Sequence, residues 1–127
     1  MGRRVDREGP VHKAIVDWLR KVMPDAMVCH CKNEINKRGK AFAIEIAKAK
    51  KKGLIVGFPD LLVLPSANIG AFFLEVKAEG NYATPEQKEI HAELTCLGYR
   101  VAVVRSIDDV RKCLQEWGIG FKEKIKE

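Results

Sequence analysis

Apolar residues recur at steps of three and four along the first 22 positions: Val11, Ile15, Trp18, Leu19 and Val22 make one stripe at the helical period. The pattern predicts a helix over residues 6–22 with Asp6 as its N-cap. Pro10 falls in the first turn, where a missing N–H leaves no internal bond unmade, and Pro24 ends the element. Residues 26–32 read as a first strand. A polar stretch, 33–40, and a short basic helix over 42–51 follow, the helix bracketed by Gly39 and Gly53. Two apolar runs, 60–64 and 71–77, are joined by turn formers from Pro65 to Gly70 and read as a hairpin. Thr84, Pro85 and Gln87 fit the N-cap, N1 and N3 positions of a second long helix, which closes near Gly98. Residues 99–105 form a fourth strand whose unbroken apolar centre, Val101 to Val104, predicts burial on both faces. Ser106 to Asp109 cap a last helix that stops at Gly118. The order α, β, short α, β, β, α, β, α predicts an α/β protein with a mixed sheet of about four strands flanked by helices. Residues 1–118 read as one domain and 119–127 as a charged C-terminal tail, frayed over 121–127.

A length of 127 residues suits one compact core. No apolar run approaches the roughly 18 residues of a membrane span, and the N-terminal residues show no apolar secretory core. Four cysteines without an export signal predict free thiols and an intracellular setting. The net charge of +6 is concentrated: Lys32, Lys37, Arg38, Lys40, Lys48, Lys50, Lys51 and Lys52 face only Glu34 and Glu45 over the same stretch. Such a cluster is the footprint of a polyanion partner, and also that of a solvated lysine face.

The chemistry begins with two acids at the ends of apolar runs. A hairpin symmetric about the Ala67–Asn68 bond sets Asp60 directly opposite Glu75 on one face. Carboxylates paired so closely repel, and a hard oxygen-seeking cation such as Mg²⁺ or Mn²⁺ between them relieves the repulsion. Lys77, two residues after Glu75, projects from the same face, and Val76 points into packing. Metal, acidic ligands and lysine together suit phosphodiester hydrolysis. The alternative is a Glu–Lys pair on an exposed strand. Glu8 falls on the buried stripe of the first helix, where it either reaches the metal or favours the helix dipole. Gln87 completes a capping box with Thr84, and His91 lies one turn later on the same face, as a packing or surface residue. Cys29-His30-Cys31 does not read as a zinc site: in a strand His30 points away from the two cysteines, and buried free thiols are expected instead.

Gly57-Phe58-Pro59-Asp60 followed by Glu75-Val76-Lys77 resembles the signature of the PD-(D/E)XK nuclease superfamily. With Asn33-Glu34, Thr84-Pro85-Glu86-Gln87-Lys88 and Gly98-Tyr99-Arg100-Val101, the chain is similar, over about residues 8–110, to the VRR-NUC (virus-type replication-repair nuclease) family. The resemblance implies a restriction-endonuclease-like α-β-β-β-α-β core. It implies a catalytic set of Glu8, Asp60, Glu75, Lys77 and Gln87, with Mg²⁺ or Mn²⁺ held by Asp60, Glu75, the Val76 carbonyl and Glu8. It implies a homodimeric, Holliday-junction-resolvase-like endonuclease acting on branched DNA, and a prokaryotic or phage-encoded, cytoplasmic protein. Asn33, Lys37, Arg38, Lys40, Lys48, Lys51 and Lys52 would hold the DNA backbone, with binding that weakens steeply in salt. Two other readings remain open: a nuclease for flaps or for linear or single-stranded DNA, and a non-catalytic nucleic-acid-binding module of the same fold. One departure is Gly9-Pro10 directly after Glu8, where relatives carry ordinary helix formers.

Overall fold

The computed structural model describes residues 6–31 and 39–123. Helix α1 (Glu8–Val22) leads into strand β1 (Met27–His30), then helix α2 (Gly39–Lys51) and the hairpin strands β2 (Leu61–Leu64) and β3 (Phe72–Val76). Helix α3 (Pro85–Cys96), strand β4 (Arg100–Val104) and helix α4 (Ile107–Glu116) complete the order. The strands form one sheet in the order β1-β2-β3-β4, with β1·β2 and β2·β3 antiparallel and β3·β4 parallel.

The hairpin has the expected register. Leu61 pairs with Leu74, Leu62 with Phe73 and Val63 with Phe72, so Asp60 and Glu75 stand one step beyond the last ladder pair. On one face, Leu61, Val63, Phe72, Leu74 and Val76 pack against Ile15, Leu19 and Val22 of α1 and Val110 and Leu114 of α4. The alternation of strand side chains therefore sends Phe73, Glu75 and Lys77 to the opposite face. There Phe58 and Tyr99 meet the Phe73 ring edge-on, with centroids 5.5 and 5.8 Å away. The central strand β3 is buried along its whole length.

Two expectations are corrected. β4 is not buried on both faces: it is an edge strand, half-exposed except at Val104. Its apolar run reflects contact with α3 and α4 on a sheet that ends there. The chain after Gly118 is also no frayed tail over the described residues. Ile119 is buried, Phe121 packs on Trp18, and the Lys122 N–H donates to the Val22 carbonyl at 2.8 Å. Glu123 accepts from the Trp18 indole and from two guanidinium nitrogens of Arg111, which holds its carboxyl down at about 2. Two apolar residues two positions apart, Ile119 and Phe121, next to glycines and a charged end are too few to set a period, so this docking has no local signature. α2 begins at Gly39, earlier than the apolar pattern indicated, and buries none of its residues. No helix among the described residues is long and apolar enough to cross a membrane.

Candidate active site

The N-terminus of α1 sets the first acid. The Asp6 carboxylate accepts from the Gly9 N–H at 2.9 Å and braces the first turn, but the N-cap position is Arg7, without a side-chain cap bond, and not Asp6 as expected. A Cβ on Gly9 would lie 2.3 Å from that carboxylate, so a larger residue directly after Glu8 would have to displace the exposed Asp6 side chain. Glu8 then accepts from the Asn81 side-chain amide at 3.2 Å. Asn81 is tied in turn to Arg7 and, through its carbonyl, to Arg105, so Glu8 is held rather than free in solvent.

Asp60 comes from the segment leading into β2. Its carbonyl accepts from the Cys31 N–H at 2.7 Å and its Oδ2 from the Val76 N–H at 2.8 Å, so Asp60 links β1 to β3 across the hairpin. Gly57, three residues earlier, lets the same segment press against α3. It has φ +88°, and a Cβ there would come within 2.7 Å of the Glu86 carbonyl at the start of α3. Gly57→Ala is expected to cost about 2 kcal/mol or more, from a left-handed backbone joined to a backbone collision. A denaturation midpoint equal to wild type would refute this close approach.

Glu75 is 2% exposed and Lys77 8%, both buried on the face of β3 away from the main core. Burial, and then hydrogen bonding and charge from Asp60, push the Glu75 carboxyl up to about 9, with Lys77 opposing the shift. Val76 between them is in the core. From α3, His91 reaches Glu75, with Nε2 3.5 Å from Oε1. Burial and the Lys77 charge lower the His91 pKa from its ordinary 6.5, so this imidazole is neutral at neutral pH.

The sequence-derived residues divide cleanly. Asp60, Glu75, Val76 and Lys77 converge at one end of the hairpin. Glu8, Asp60 and Val76 share a cleft of about 280 Å³, and the Glu8 charge is felt at Glu75. Gln87 forms the expected capping box: its Oε1 accepts from the Thr84 N–H at 2.8 Å, and its own N–H donates to Thr84 Oγ1. Lys40, Lys48, Lys51 and Lys52 are exposed on α2 and just after it, and none of them lines the cleft. Asn33, Lys37 and Arg38 lie outside the described residues. Two cleft or support residues escaped the sequence reading, His12 and Asn81, and His30, weighed there only as a zinc ligand, also lines the cleft. His12 sits one turn after Glu8 on the same helix face, a spacing that could have shown it, and meets the His30 ring at a tilt of 54° with centroids 4.3 Å apart. The four cysteines are free, as expected, but Cys29 and Cys96 are exposed and the others half-buried, so the buried-thiol expectation fails.

The VRR-NUC domain family matches residues 3–108. The chain belongs to the VRR-NUC family. One relative, named "Putative nuclease p44", from Acyrthosiphon pisum secondary endosymbiont phage 1, is 35% identical over 91 residues, covering 71% of this chain and 90% of its own. A solved VRR_NUC domain protein superposes with a TM-score of 0.66 at 24% identity, over 98% of this chain and 99% of its own. A second solved VRR_NUC domain gives 0.57 at 26%, over 88% and 97%. The fold is thus that of VRR-NUC domains, and the protein is a nuclease of this family, a domain type that implies DNA as substrate.

Whether this VRR-NUC site suits a divalent ion can be judged from its donors. Among the described residues no three His, Cys, Asp or Glu side chains converge into a ready-made cage. Two carboxylates do meet, Asp60 and Glu75, one of them with a buried oxygen that has no hydrogen-bond partner. Holding both ionised side by side in a buried site requires a positive charge. One or two carboxylates, with water completing the shell, is the donor set that Mg²⁺ prefers over an all-protein cage. The residues fit a hard divalent cation.

Proposed function

We propose that this VRR-NUC protein is a Mg²⁺- or Mn²⁺-dependent endonuclease that hydrolyses phosphodiester bonds in branched DNA, in the manner of a Holliday-junction resolvase. The observation that carries the reading is the half-buried Asp60 against the buried Glu75, with an unpartnered Glu75 oxygen, beside the buried Lys77. Asp60, Glu75 and the Val76 carbonyl would hold the ion, with Glu8 across the cleft as a nearby or water-mediated ligand. Such an ion, when bound, would supply a nucleophile at neutral pH and offset charge at the phosphate.

The chain's own groups do the rest. Lys77, held on the same face of β3 as Glu75, orients the attacking water and offsets charge developing on phosphorus. The Val76 N–H fixes one Asp60 oxygen, so that carboxylate cannot swing away when substrate enters. Asn81 does the same for Glu8. Gln87 spends its carbonyl oxygen on Thr84, and its amide NH₂ remains to orient Lys77 or the phosphate. Exposed Lys40, Lys48, Lys51 and Lys52, with Asn33, Lys37 and Arg38, would grip the DNA backbone from outside the cleft. Two copies related by a two-fold axis would cut a four-way junction symmetrically, and the setting would be the cytoplasm of a prokaryotic or phage-infected cell.

A cleavage panel tests this: a four-way junction, a flap, a linear duplex and a single strand, with Mg²⁺, Mn²⁺ or EDTA. Junction cutting that EDTA abolishes is the expected result. Faster cutting of the flap or of linear ends would move the protein to end-processing, and no cutting of any substrate would leave a binding module. Sedimentation on the same preparation should show a dimer at micromolar concentration, and a monomer would overturn the symmetric-cut version.

A further inference from the structure

Glu75 Oε1 and His91 Nε2 are buried side-chain atoms without a hydrogen-bond partner, and they lie 3.5 Å apart. That separation is at the outer limit of a hydrogen bond. An orphaned buried polar group costs about 1–3 kcal/mol, so two of them facing each other form a juxtaposition that a small side-chain rotation closes. α3 delivers His91 to this point by construction. The capping box at Thr84 and Gln87 anchors its first turn, and Gly57 lets the loop before Asp60 press on the same turn. His91 follows Gln87 by four residues and so shares its helix face.

We propose that His91 is a positioning residue for the metal centre, its Nε2–H holding the Glu75 carboxylate in the orientation that receives the ion. The inference rests on the metal-dependent reading above and extends it to a residue on α3. A ligating carboxylate has more lone pairs than one ion uses, and outer partners that satisfy the remainder fix its direction. His91 suits this task better than direct ligation. Hard divalent ions prefer oxygen to imidazole nitrogen, and Nε2 faces the Glu75 carboxylate at 3.5 Å. Lys77 lies close enough for its charge to act on both groups. The three side chains thus form one buried unit, in which Glu75 is fixed from α3 and Asp60 from β3.

The test measures Mn²⁺ binding calorimetrically on the full chain, with no DNA present, for wild type, His91→Leu, His91→Gln and Glu75→Gln. His91→Leu should bind Mn²⁺ about ten-fold more weakly. His91→Gln places an amide N–H near the position of Nε2 and should recover most of that loss. If His91→Leu does not fold, as judged by circular dichroism, His91→Asn replaces it, its amide stopping short of Glu75. Wild-type affinity in the Leu or Asn variant overturns the inference, and so does an equal loss in the Gln and Leu variants. A nitrogen coupling in the Mn²⁺ electron paramagnetic resonance spectrum overturns it as well, since His91 would then be a ligand. Should wild type and Glu75→Gln fail alike to bind Mn²⁺, the metal-dependent reading itself falls.

Discussion

Asp60→Asn and Glu75→Gln should each cut DNA more than 100-fold more slowly than wild type while binding it nearly as well. The size follows from the two roles at stake. Residues that merely support a metal ligand are worth about 10–100-fold, and Asp60 and Glu75 are the ligands proposed. Asn is the informative replacement at position 60. Its side-chain carbonyl can still accept the Val76 N–H that Asp60 accepts at 2.8 Å, so the hairpin end stays satisfied and only the charge is lost. Alanine there would also orphan that N–H, mixing a stability loss of about 1–3 kcal/mol into the result. Single-turnover cleavage of the preferred branched substrate, with binding followed separately in Ca²⁺, checks both halves. Near wild-type cutting by Asp60→Asn would remove the metal pair from the mechanism.

The second large effect is in stability against pH. Glu75 in the folded protein keeps its proton up to about 9, because burial and then Asp60 disfavour the charged form, whereas its ordinary value is 4.5. Below the ordinary value both folded and unfolded chains are protonated and this contribution to stability is fully present. Between the two values the unfolded chain ionises and the folded one does not, so metal-free protein loses stability as pH rises, by up to about 1.4 kcal/mol per pH unit. Above about 9 the loss is complete. A divalent ion competes with that proton, so its stabilising effect should grow from pH 6 to pH 9. Glu75→Gln carries no titrating group there and should show neither the decline nor the metal response. Thermal unfolding across this range, with and without Mg²⁺, reads all of it. A wild-type melting temperature that is flat in pH and unmoved by metal would mean that Glu75 is an ordinary carboxylate.

The two effects trace to different levels of the protein. Turn chemistry and period-two alternation are local, so the hairpin register and the facing of Asp60, Glu75 and Lys77 were legible in the chain, as was the Thr84–Gln87 capping box. Glu8 and Gln87 entered as site residues only through resemblance to a family. Contacts between distant segments have no local signature. Nothing around Asn81 announces a bond to Glu8, 73 positions earlier, and nothing after Gly118 announces that Phe121 packs on Trp18. The apolar run of β4 misled for the same reason. Strand composition reports what can be buried, and only the sheet order shows that this strand lies at an edge.

The opposition of two acids across a hairpin, with a lysine on their face, was thus set by the sequence alone, because a register with period two admits one arrangement of those side chains. Their chemistry was decided by tertiary structure. Asp60 and Glu75 on an exposed ribbon would be two ordinary carboxylates. Packed under α3, with Glu75 2% exposed and His91 at 3.5 Å, one of them holds its proton to about 9. The cost of charge depends on how much water the fold removes, and no stretch of sequence carries that quantity by itself.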